Sequence, residues 1–159
     1  MSDSWYKVDN VAKVFLATAS MRDPRVFRIS CTLQEQVDPD TLNEALRRTA
    51  QEWPQFQVTL HRGLFWHYFE STDLTPTAQP EAKAPCAPLY TPERRNRLIY
   101  RVTYFGARIN LEMFHAITDG NGGLLYLKSI VRNYLALRHP GNLDSVPSPN
   151  SASAGDLAQ

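Results

Sequence analysis

Two cysteines in 159 residues, Cys31 and Cys86, stand far apart and in no metal-ligand spacing. That scarcity excludes a disulfide scaffold and points to a reducing compartment. An excess of one charge is missing as well: 17 Lys and Arg balance 16 Asp and Glu, leaving a net charge of +1. Such balance offers no electrostatic grip on nucleic acid or an anionic membrane. Long apolar runs are absent. Asp3, Asp9 and Lys13 interrupt the opening segment, so no secretory signal is legible and nothing reaches membrane-spanning length. A cytoplasmic protein is the expectation. Glycine is sparse too, seven in all, yet three of them fall at 120, 122 and 123.

What is present suffices for a core. A chain of this length fits one domain, which hides roughly 70% of its unfolded surface. In "VDPDTLNEALRRTAQEWPQF", Asp38 is placed to cap a helix, Pro39 suits its first position and Pro54 ends it. Leu42, Ala45, Leu46, Thr49 and Trp53 form one stripe on a 3.6-residue period, so a helix over 38–52 packs through one side only. "RVFRISCTL" alternates, with Phe27, Ile29, Cys31 and Leu33 on one face, and predicts a half-buried strand over 26–33. "QVTLH" and "LFWHYFE" read as a hairpin turning at Arg62-Gly63, with Gly63 free to take a positive φ. "LIYRVTYF" and "RINLEMF" make a second hairpin around Gly106-Ala107, a pair suited to a type II′ turn. Between the hairpins, residues 71–97 hold five prolines and little periodicity, which predicts a long irregular excursion. Leu124, Leu127, Val131, Tyr134 and Leu135 mark the buried side of a helix over 123–137, stopped by Pro140-Gly141. A short helix is expected over 4–15. Residues 143–159 are small, polar and rich in Pro and Ser, as in a disordered tail or linker. The fold class expected is α+β: a two-layer sandwich in which helices cover one face of a mixed, largely antiparallel sheet, domain 1–142.

The chemistry concentrates in "EMFHAITDGNGG", where a strand gives way to glycine. His115 continues the inward parity of Ile109, Leu111 and Met113 just as the strand ends. It also lies ahead of a helix N-terminus, whose positive dipole end disfavours an imidazolium, and a neutral ring is what a general base requires. Asp119 is placed either to orient that ring or to tie the loop down through an arginine; spacing leaves both open. The stretch fails as a calcium loop, because Gly123, Leu124 and Ile130 stand where ligands or the obligatory glycine belong. It also lacks the Lys-Ser/Thr ending of a phosphate loop. Other candidates have simpler readings. Four arginines in "ERRNRLIYR", Arg94 to Arg101, suit phosphates, a carrier protein or merely solvent. His61 and His67 flank a turn as a cross-strand pair without a third ligand, so no metal site is expected. Cys31 shares the parity of a buried strand residue and is not a nucleophile.

His115-Ala-Ile-Thr-Asp119-Gly120 has the form HxxxDG. In that form the chain resembles the superfamily of chloramphenicol acetyltransferases, peptide-synthetase condensation domains and plant acyl-CoA-dependent acyltransferases. "SWYKVDNVAKVF", the 38–52 helix, "GLFWHYFE" and "EMFHAITDGNGGLLYLKSIVRNYL" make it most similar to alcohol acetyltransferase-like proteins, over about residues 4–137. The resemblance implies the N-terminal subdomain of a chloramphenicol acetyltransferase-like fold. It implies transfer of an acyl group from a coenzyme A or carrier thioester to a hydroxyl or amine, with no bound cofactor. His115 would be the base, Asp119 a structural residue paired with an arginine, for which Arg28 is the candidate, and Gly120 the residue giving the turn room. Two departures follow. Phe114 stands where condensation domains carry a second histidine, which favours a small-alcohol or general acyltransferase. Members of the superfamily have two related halves, and only the first is expected here. The chain is therefore expected to need a C-terminal half, a partner chain or a second copy, or else to be an inactive binding module. A serine hydrolase ranks last, for want of a nucleophile-elbow motif.

Overall fold

The computed structural model describes residues 5–7, 10–19, 23–64, 67–82, 84–90 and 96–141. Its elements run β1 (Trp5–Lys7), α1 (Asn10–Thr18), β2 (Val26–Thr32), α2 (Pro39–Glu52), β3 (Val58–Arg62), β4 (His67–Ser71), β5 (Gln79–Pro80), β6 (Tyr100–Phe105), β7 (Arg108–Phe114) and α3 (Gly120–Arg138). A four-stranded sheet has the order β2-β7-β6-β5 and a three-stranded sheet the order β1-β4-β3, linked by one bridge between Thr59 and Leu98. Every pairing is antiparallel except β5 with β6. The expected α+β class, with a mixed and mostly antiparallel sheet, describes this arrangement.

Helix α2 forms for the reasons legible in its sequence. The Asp38 carboxylate accepts the Thr41 N–H at 2.8 Å, and Pro39 occupies the first position, where no N–H is needed. Leu42, Ala45 and Leu46 are fully buried, each large apolar side chain contributing about 1.5–3 kcal/mol. On the outer face Arg47 and Arg48 grip Glu44 and hold its carboxyl down at about 2. Pro54 then terminates the helix in a single 3-10 turn, Pro54–Phe56.

The sheet core is β7. Its Ile109, Leu111 and Met113 are completely buried beneath α2 and α3, together with Tyr100 and Val102 of β6 and Tyr126, Ile130 and Tyr134 of α3. Polar seams run through this core. The Trp53 indole donates to Ser129 Oγ at 3.0 Å, Asn133 Nδ2 donates to Thr49 Oγ1 at 2.9 Å, and the Tyr126 hydroxyl donates to the Tyr100 hydroxyl at 2.9 Å. Phe114, of opposite parity, joins a second apolar cluster with Val58, Leu60, Ile99 and the α1 residue Ala12. The β6–β7 turn is Gly106-Ala107 as expected, and Gly106 alone of the pair has a positive φ, +57.

Four expectations need correcting. The N-terminal segment is not one helix: Trp5–Lys7 pair with Tyr68–Glu70 as a strand, and the helix runs on to Thr18. The first hairpin pairs Arg62 with His67, so its loop is four residues long and β4 starts later than "LFWHYFE" suggests. Phe65 and Trp66 lie outside the described residues, and the left-handed glycines among those described are Gly106 and Gly141. The irregular excursion contains a two-residue strand, Gln79–Pro80, running parallel to β6. Helix α3 begins at Gly120; of its expected stripe Leu127 and Tyr134 are buried and Val131 and Leu135 half-buried, but Leu124 is 38% exposed and Tyr126 and Ile130 also lie inside. The 143–159 tail lies outside the described residues.

Candidate functional site

The site is the joint between β7 and α3. Antiparallel pairing of β2 with β7 ends at Val26 opposite Phe114, and one further bond continues it: the His115 N–H donates to the Arg25 carbonyl at 2.9 Å. The chain then turns, with the Ile117 N–H donating to the Phe114 carbonyl at 3.0 Å, and enters α3 at Gly120. His115 is half-buried, and its ring lies 4.4 Å from that of Phe27, tilted by 41°. Phe27 and His115 share the helix-facing parity of Ile29, Leu111 and Met113. The imidazole is therefore held at its backbone and against an aromatic face.

Asp119 caps α3. Its Oδ1 accepts the Gly122 N–H at 2.8 Å, from an extended backbone with φ −82. Arg28, the expected partner of Asp119, is committed elsewhere. It pairs in register with Glu112, donating Nε and Nη2 to Glu112 Oε1 at 2.9 and 2.6 Å, and its Nη1 pairs with Glu81. Strand parity explains the difference, since Arg28 points away from the face that carries Phe27 and α3.

Gly120 is also not where the crowding is. A Cβ there would meet nothing within 4 Å. One on Gly122 would lie 2.0 Å from Thr118 Oγ1, and one on Gly123 would lie 2.8 Å from the Phe27 ring. The glycines thus let α3 settle onto β2 beside His115, and Gly123 is the one that the contact demands.

Sequence reasoning missed Glu112 as a structural centre. It is 1% exposed and is held by Arg28, by Arg101 and by the Cys86 N–H at 2.9 Å. Burial raises its pKa, but the Cys86 N–H and the two guanidiniums outweigh that and leave it below the ordinary carboxylate value. Glu81 is lowered likewise, by Arg108 and then Arg28. The signal was available: Glu112 is a lone charge within the apolar run Leu111 to Phe114.

The remaining candidates disperse. Arg94 and Arg95 lie outside the described residues, Arg97 is exposed, and Arg101 serves Glu112. His61 pairs with Tyr68 while His67 pairs with Arg62, so the two histidines occupy opposite faces of the hairpin. His61 Nε2 instead lies 2.9 Å from Glu70 Oε2 and 2.8 Å from Thr59 Oγ1. Cys31 sits opposite Ile109, toward the end of β2 distant from His115. A cleft of about 310 Å³ opens between the Leu74–Gln79 strap and the start of β6, lined by Pro76, Leu89, Leu98, Tyr100 and Arg101. His115 does not line it.

No family model matches this sequence, nor does any curated protein. Solved structures do match its fold. The starter condensation domain of rhizomide synthetase RzmA aligns with TM-score 0.63 and 13% identity, over 85% of this chain and 38% of that one. Polyketide synthase associated protein 5 from Mycobacterium tuberculosis gives 0.62 and 17%, over 90% and 36%. The epimerization domain from the third module of tyrocidine synthetase B gives 0.66 and 11%, over 93% and 38%. The chain therefore has the fold of one part of these domains, as the expected N-terminal subdomain should, and it spans well under half the length of these structures. Among the described residues no helix is long and apolar enough to cross a membrane.

Proposed function

We propose that this chain is the base-bearing part of an acyltransferase that moves an acyl group from a coenzyme A or carrier thioester to a hydroxyl or amine. The observation that carries the reading is the mounting of His115. A half-buried imidazole sits at a strand end, on a residue whose backbone N–H is bonded to the Arg25 carbonyl, against the tilted ring of Phe27, and followed by a helix closed onto β2 by Gly123. His115 takes the proton from the acceptor O–H or N–H as the acceptor atom attacks the thioester carbonyl. The C–S bond then breaks, and the same ring returns the proton to the leaving thiolate. Asp119 contributes by capping the helix that follows. One RzmA starter condensation domain variant was solved in complex with C8-CoA, which supports a thioester as co-substrate.

Phe114, the residue in place of a second histidine, is 2% exposed and packs in the α1 cluster. A ring committed to the core supports the general or alcohol-type acyltransferase branch over peptide-bond synthesis. A second reading, an inactive or split half that serves as an interaction module, draws on the length comparison, because the matching structures are more than twice as long. Mixing the chain with the segment that completes the fold, then following size-exclusion and acceptor-dependent thiol release from an acyl-CoA, separates the two. Acyl transfer supports the first reading, whereas a complex that forms and transfers nothing supports the second.

A further inference from the structure

Arg25 has features beyond the carbonyl that holds His115. It is one of two non-glycine residues described with positive φ, at 55. That left-handed backbone is held by its own N–H donating to Asp23 Oδ1 at 3.3 Å, and its carbonyl is the acceptor for His115. Its Nε is sealed from solvent 3.2 Å from Asp23 Oδ2 yet makes no hydrogen bond, while the side chain as a whole is 37% exposed. A left-handed arginine is disfavoured relative to glycine, and strain of this kind concentrates where the surrounding structure or function demands it.

Position decides what the guanidinium can reach. The His115 N–H donates to the Arg25 carbonyl, so the two residues are backbone neighbours just past the last paired residues, Val26 and Phe114. Arg25 and His115 therefore issue their side chains from neighbouring points. An anion held by a guanidinium rooted there would sit close to an atom reacting at His115. The phosphates of a coenzyme A or carrier thioester do not qualify, because the whole pantetheine arm separates them from the reacting carbonyl. A carboxylate on a short acceptor does. The planar fork of a guanidinium matches a carboxylate bidentately. Asp23, 56% exposed, forms a weak surface pair that an incoming carboxylate can displace.

We propose that Arg25 is the acceptor-anchoring residue of this site, binding the carboxylate of a short hydroxy or amino acid whose hydroxyl or amine is presented to His115. The proposal rests on the acyl-transfer reading above, but binding can be measured without transfer. The probe is lactate, with lactamide as its uncharged counterpart and inorganic phosphate as a generic anion. The readout is the His115 ring resonance of chain labelled with ¹³C-histidine, assigned by its loss in His115→Gln. Lactate is expected to shift the resonance saturably and lactamide to leave it unmoved. Arg25→Gln is expected to abolish the response, and Arg25→Lys to require several-fold more lactate. Arg25→Gly relieves the backbone and so keeps the melting temperature at or above wild type, while losing the response; this separates side chain from fold. Equal shifts from lactamide or phosphate, or a response that survives Arg25→Gly, overturn the proposal. In the completed enzyme, acylation of neutral alcohols in preference to hydroxy acids overturns it while leaving the acyl-transfer reading intact.

Discussion

The two faces of β7 solve opposite problems with the same strand. Ile109, Leu111 and Met113 point into a core of aliphatic and tyrosine side chains under two helices. Asn110 and Glu112 point the other way, into hydrogen bonds and ion pairs with Ser30, Thr103, Arg28 and Arg101. The apolar face gains stability from burial, which is non-directional and tolerates repacking. The charged face gains little net stability, because desolvation offsets attraction, but it fixes β2, β7 and β6 in one register. His115 emerges where that register ends. For the base proposed at His115, which must be placed to within a fraction of an ångström, a strand locked on its charged side and packed on its apolar side is a suitable mount.

The largest effect should come from breaking the charged face at one partner only. Glu112→Ala leaves Arg28 and Arg101 partly buried without their carboxylate and should cost about 3–5 kcal/mol by chemical denaturation. Replacing Arg28, Glu112 and Arg101 together with Met, Leu and Met should be close to neutral, and a triple variant as unstable as the single one would show that the network supplies net stability. The network also sets an acid limit. Glu112 and Glu81 lie below their ordinary value of 4.5 when folded. Their contribution is complete above that value and is lost as pH falls through the depressed folded values. Acid melts should therefore show wild type losing stability below about pH 4.5 more steeply than the apolar triple variant.

On the helix-covered side, Gly123→Ala pushes a methyl into Phe27 and should cost about 1–3 kcal/mol. Gly120→Ala enters open space at the first position of α3 and should be neutral or stabilising by up to about 1 kcal/mol. If Gly120→Ala keeps the fold but removes activity, the space over Gly120 belongs to a ligand or a completing half. The smallest effect is expected from Asp119→Asn, which keeps an oxygen to cap Gly122 and should change stability by only a few tenths of a kcal/mol. A large loss there would mean that Asp119 does more than cap.

Much of this arrangement was legible in the residues, and the failures have a common cause. Helix α2 declared itself because cap, first-turn proline and stripe are all local. The Gly106 turn did so because hairpins restrict the backbone at two positions. Placing His115 at the end of β7 followed from strand parity alone. What failed depended on partners distant in sequence. The buried face of α3 includes Ser129 and Asn133, which serve Trp53 and Thr49, so hydrophobicity marks only part of it. Arg28 pairs with Glu112 and Glu81 rather than Asp119, because it lies on the face of β2 turned away from α3. The contact that demands a glycine at 123 is invisible locally, because the ring that crowds it comes from β2.

The most direct test compares wild type with His115→Ala, each joined to the segment that completes the fold, by quantifying acylated acceptor and free thiol from an acyl-CoA by mass spectrometry. The account predicts stoichiometric product and thiol from wild type and a roughly 10²–10⁴-fold slower rate from His115→Ala at unchanged melting temperature. Equal rates from the two proteins would contradict it.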